Sequence, residues 1–114
     1  MATDNAPQDH IDKIDRSRLL LHELTRVEAA ARAPEALVVL PVGATEQHGP
    51  HLPLATDTLI VEHVARAAAD VASRDIDVLV TPTLPFGSSH HHLPFGGTIS
   101  MTTERYYGAL RDMV

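Results

Sequence analysis

The chain has 114 residues, 44% of them hydrophobic and 21% charged, with a formal net charge of −6 and no cysteine. That length fits one domain, and the composition excludes collagen-like, coiled-coil and wholly disordered classes. The acidic balance, with no basic run, argues against nucleic acid as a partner, and the absence of cysteine leaves His, Asp and Glu to hold any metal.

Residues 1–15 are polar and aperiodic and read as a flexible tail. They show no basic segment followed by an apolar one, so no secretory signal is read and a cytoplasmic location is expected. No apolar run approaches the roughly 20 residues of a membrane span, so no membrane partner is expected. A first helix is expected from Ser17 to Arg32, with Leu20, Leu24, Val27 and Ala31 at helical spacing and Ser17 as cap. The continuous aliphatic run Ala36–Gly43 predicts a strand buried on both faces. A loop rich in turn residues follows over Ala44–Thr56. The second helix spans about Asp57–Ser73, with Thr56 or Asp57 as N-cap and an apolar stripe of Ile60, Val64, Ala67 or Ala68, and Val71. Ile76–Thr81 reads as a second strand and Pro82–Ser100 as a second loop. A third helix starts near Thr102 or Thr103, with Tyr106, Leu110, Met113 and Val114 on its face.

This order predicts an α/β fold of βαβ type, a three-layer parallel sheet with helices on both faces. In such sheets ligands bind outside the carboxyl ends of the strands. Both loops directly follow a predicted strand, so parallel pairing would bring them to one edge. Those loops carry five of the eight histidines: His48 and His51 in the first, His90, His91 and His92 in the second.

In the first loop, Glu46 and His48 stand two residues apart and point the same way on an extended backbone. Pro50, Pro53 and Gly49 then turn the chain so that Asp57 could return towards them. Carboxylate and imidazole together suit Zn²⁺, Mn²⁺ or Fe²⁺, and a carboxylate can bridge two cations as in two-metal hydrolases. Taken singly, Asp57 also reads as a helix cap, Glu46 as a solvated carboxylate and His51 as a hydrogen-bonded loop residue. In the second loop, three adjacent histidines cannot all meet one ion; on an extended chain His90 and His92 share a side. Gly96 and Gly97 permit positive φ or close approach to a ligand. This loop reads either as a substrate wall offering imidazoles or as a polar loop that happens to be rich in histidine.

Together the loops resemble the creatininase (creatinine amidohydrolase) family. The stretch Leu40–Thr58 is similar to that family's first motif along its whole length. Gly87, Ser89, His92, Phe95, Gly97, Thr98 and Ser100 resemble its second. The resemblance covers about residues 17–114. It implies that residues 16–114 are the N-terminal part of one α/β domain. It also implies a cytoplasmic, commonly homo-oligomeric, metal-dependent hydrolase of amide-type C–N bonds in a small molecule or peptide. Two divalent ions (Zn²⁺, Mn²⁺ or Fe²⁺) are implied, with Glu46 on one, His48 on the other and Asp57 bridging. No side chain is assigned as catalytic: a metal-bound hydroxide would attack the carbonyl, with His51 and His92 as candidates to hydrogen-bond around it. Ser89, His91, His92, Gly97 and Thr98 would lie by the substrate.

Three departures qualify the match. His91 stands where the family usually has Glu, and Gly96 where it usually has Pro. Family members are longer, and their next motif, an Asn-Gly-His segment supplying further ligands, has no counterpart here. A truncated chain, inactive alone, is therefore expected. A non-enzymatic, His-rich metal-binding or interaction module is the alternative.

Overall fold

A computed structural model describes residues 15–114; the tail expected over 1–15 lies, but for its last residue, outside the described residues. The regular elements are a 3₁₀ turn at Leu21–Glu23, α1 (Arg26–Arg32), β1 (Leu37–Val39), α2 (Thr56–Ala72), β2 (Val78–Val80), a second 3₁₀ turn at His90–Phe95 and α3 (Thr103–Met113).

β1 and β2 pair in parallel, Leu37 with Val78, Val38 with Leu79 and Val39 with Val80. The connection between them is α2, so the expected parallel α/β arrangement holds. Beyond the strands the pairing resumes at Val42 and Leu84, where the Gly43 N–H donates to the Leu84 carbonyl at 2.8 Å. Both loops therefore leave the sheet at the same carboxyl edge.

The first helix is shorter than its periodicity predicts. Leu20 lies beside Val80 in parallel, and the Val80 N–H donates to the Leu19 carbonyl at 2.7 Å. This draws the segment out of helix and onto the free edge of β2. Thr25, not Ser17, starts α1: its hydroxyl accepts from the Glu28 N–H, and the Glu28 carboxylate accepts from the Thr25 N–H. This reciprocal cap satisfies two otherwise orphaned donors. At the other end of α1 the Arg32 guanidinium is buried. It meets the Asp77 carboxylate at 2.5 Å and donates to the carbonyls of Arg18 and Val78.

Burial falls on the second strand rather than the first. Val78, Leu79 and Val80 are all buried, whereas Leu37 is 56% exposed and Val38 47%. β2 is flanked on both edges, by β1 and by Leu19–Leu20, while among the described residues β1 has a neighbour on one edge only. The expectation of a first strand buried on both faces is thus corrected.

The stripe expected to anchor α2 is also corrected. Ala65 and Ala69, with Ala72, pack against Val78 and Val80, while Ile60, Val64 and Val71 are more than half exposed. Small side chains at i, i+4 and i+7 let the helix axis approach the sheet closely; the branched residues occupy another face. No helix among the described residues is long and apolar enough to cross a membrane.

Candidate metal centre

Two close approaches set the site at the carboxyl edge. A Cβ on Gly43 would stand 2.8 Å from Thr58 Oγ1 and 2.9 Å from its Cα, so only glycine lets the start of α2 rest on the end of β1. A Cβ on Gly97, whose φ is +76°, would meet Leu54 Cδ2 at 2.9 Å, so the second loop is seated on the first. The loops are further joined where the Ile99 N–H donates to the Thr45 carbonyl at 2.9 Å.

Within this frame Glu46, His48 and Asp57 each direct a donor atom to one place, all within 4.8 Å of one another. Asp57 does not cap α2. The cap position is Ala55, whose side chain makes no capping bond, and Thr56 Oγ1 donates to the Pro53 carbonyl at 2.6 Å. Asp57 sits in the first turn, where the helix dipole favours its negative charge, and its side chain is free to turn to the loop.

His48 carries the strongest sign of a cation position. Its Nδ1 lies 3.1 Å from the Glu46 carbonyl, and its Nε2 lies 3.2 Å from Asp57 Oδ1. Carbonyl and carboxylate oxygens only accept. One ring proton satisfies Nδ1, and the Nε2 lone pair then faces an acceptor. A cation at Nε2, proton or metal, resolves that opposition. A histidine whose Nδ1–H is held by a backbone carbonyl is the orientation metal-ligating imidazoles adopt. In the metal-free chain the same contacts, the Glu46 carbonyl first and the Asp57 charge after it, raise the His48 pKa against partial desolvation.

Glu46 is held as an anion. The neighbouring Ser89 side chain is the first cause of its lowered pKa; His92 and His48 add to this, against the opposing effect of burial. Ser89 itself is 3% exposed, and its N–H donates to Ser100 Oγ at 2.7 Å. The donor set, two carboxylate groups and an imidazole with ordered supports, fits a divalent ion of the Zn²⁺, Mn²⁺ or Fe²⁺ kind.

The remaining expected residues divide. His92 lies at the edge of the centre, its Nε2 3.9 Å from Glu46 Oε1. His51 is exposed and outside the cluster. The histidine run forms a 3₁₀ turn, so the shared side expected for His90 and His92 is not seen. His90 Nδ1 goes to Ser100 Oγ at 2.8 Å, His92 Nδ1 goes to Gln47 Nε2 at 2.6 Å, and the exposed His91 ring lies with its centroid 4.1 Å from that of His92. Thr98 Oγ1 accepts from the Gln47 N–H at 3.1 Å and donates to the His92 carbonyl at 3.4 Å. Sequence reasoning passed over Gln47, which lies between two ligand candidates and carries no charge of its own. An open cleft of about 480 Å³ adjoins Asp57, lined also by Val42, Gly43, Ile60 and Tyr106.

The family model for creatinine amidohydrolase matches residues 22–114. The chain is 47% identical over 73 residues to the mycofactocin precursor peptide peptidase of Mycobacterium tuberculosis (strain CDC 1551 / Oshkosh), covering 59% of this chain and 29% of that protein. It is 34% identical over 101 residues to the creatinine amidohydrolase of Pseudomonas putida, covering 81% of this chain and 36% of that one. A solved mutant creatininase superimposes with a TM-score of 0.74 at 32% identity, over 84% of this chain and 39% of its own. Another, described as of Zn-Zn type, gives 0.66 at 33% identity, over 82% and 38%. The chain thus spans between 29 and 39% of the length of these relatives.

Proposed function

Because the chain belongs to the creatininase family, matched over residues 22–114, we propose that Glu46, His48 and Asp57 hold divalent metal for hydrolysis of an amide-type C–N bond. Metal binding is proposed for this chain, and hydrolysis for the complete family fold, in a cytoplasmic homo-oligomer. One observation carries the reading: three side chains from a loop and a helix bring ligand atoms within 4.8 Å.

Glu46 would hold one ion, His48 a second, and Asp57, with two oxygens, would serve both. Divalent ions supply Lewis-acid polarisation of a carbonyl and acidify water. The chain's residues do the rest. The Glu46 carbonyl holds the His48 ring in register, and Ser89 favours the ionised Glu46 carboxylate. Thr98 and Gly97 lock the second loop to the first. His92, at the edge of the centre, and His91 beside it would be the side chains of that loop to meet a substrate.

The relatives' names point to two substrate classes, a precursor peptide and creatinine. The test is calorimetric titration with Zn²⁺ and Mn²⁺, followed by amide-hydrolysis assays on both classes. Wild type should bind, and Asp57→Ala should lose bound metal together with any activity. Retention of two ions by Asp57→Ala would refute the bridging role. Tight binding with no turnover in the complete fold would favour a non-enzymatic metal module.

A further inference from the structure

We infer that Gln47 is a positioning residue that fixes His92 as the Nε2–H tautomer. His92 then offers a hydrogen-bond donor on the Glu46 side of the centre.

The Gly49 backbone N–H sets the orientation of the Gln47 amide. A backbone N–H only donates, and this one lies 2.9 Å from Gln47 Oε1. The oxygen of the side-chain amide must therefore be the atom at that position; the flipped amide would set NH₂ against N–H.

With the amide so placed, its nitrogen is the atom 2.6 Å from His92 Nδ1. An amide nitrogen donates and does not accept, so Nδ1 must accept. The neutral ring's proton then sits on Nε2, the atom 3.9 Å from Glu46 Oε1. The same residue is anchored a second time through its backbone, by the bond from the Gln47 N–H to Thr98 Oγ1, which in turn donates to the His92 carbonyl. Gln47 thus holds His92 at both its ring and its main chain.

The importance of this donor rests on the metal-centre reading, but the tautomer does not, and the experiment separates the two. The metal-free, ¹⁵N-labelled chain is examined by long-range ¹H–¹⁵N correlation in buffer alkaline enough to keep imidazoles neutral. His92 is assigned by its loss in His92→Asn. Wild type should show an unprotonated Nδ1 and a protonated Nε2. In Gln47→Glu a carboxylate accepts from both neighbours, so the proton should move to Nδ1 and the two resonances exchange character. In Gln47→Leu the ring should fall back to the mixed pattern of an exposed histidine such as His63. A wild-type ring protonated on Nδ1, or averaged between tautomers, overturns the inference, as does a Gln47→Glu spectrum unchanged from wild type. Failure of the chain to bind Zn²⁺ with the tautomer intact would instead overturn the metal reading alone.

Discussion

His48 is the residue on which proton and metal compete. Its pKa is raised, first by the Glu46 carbonyl facing Nδ1 and then by the Asp57 charge facing Nε2, so the metal-free ring keeps its second proton to a higher pH than a free histidine. A metal at Nε2 must displace that proton. Glu46, with its pKa lowered chiefly by Ser89, stays ionised across the same range and does not compete. Metal affinity should therefore be flat above the raised His48 pKa and fall by about tenfold per pH unit below it. Calorimetry in buffers of different ionisation heat counts the released protons. A pH-independent affinity through that region would remove His48 from the ligand set.

At the scale of elements, the site depends on how closely α2 meets the end of β1. Gly43 is the contact: its missing side chain makes room for the Thr58 backbone, and Thr58 follows Asp57 directly. A methyl group there has no flexible neighbour to displace. Gly43→Ala should cost about 1–3 kcal/mol in stability as overpacking, and should weaken zinc binding by moving Asp57 away from His48. Urea denaturation and zinc titration read the two effects separately. Wild-type values in both would show that this approach does not set the ligand geometry. The length and start of α2 were legible from its periodicity to within a residue. Its packing face was not, because alanine and branched stripes both run at helical spacing and a hydropathy pattern favours the larger residues. Close approach to a sheet favours the smaller ones.

At the scale of the whole molecule, the described residues leave much apolar surface uncovered. Leu37, Leu59, Ile60, Val64, Val71, Phe95 and Tyr107 are each more than half exposed, and several share the outer side of α2. Monomeric proteins rarely show so much apolar surface without a partner for it, and a sheet this small seldom stands alone. The 114-residue chain, studied alone, should bind a hydrophobic dye and self-associate at micromolar concentration. A monomer that binds no dye and melts in one sharp transition would contradict this.

Much of the site is legible in the sequence because its chemistry is local. Glu46 and His48 lie two residues apart, the turn residues Gly49, Pro50 and Pro53 send the chain back, and Asp57 opens a helix. The strand order that carries both loops to one edge is likewise written in the aliphatic runs. Tertiary structure decided what depends on distance across the chain. It made β2 rather than β1 the buried strand, because Leu19–Leu20 covers its second edge. It gave Arg32 a partner 45 positions away in Asp77. It wound His90–His92 into a turn, sending His90 to Ser100 and His92 to Gln47. The sequence determined which groups could hold a cation. The pairing of donors with acceptors across the two loops decided how each imidazole is turned, since a ring has two nitrogens and only its neighbours settle which one carries the proton.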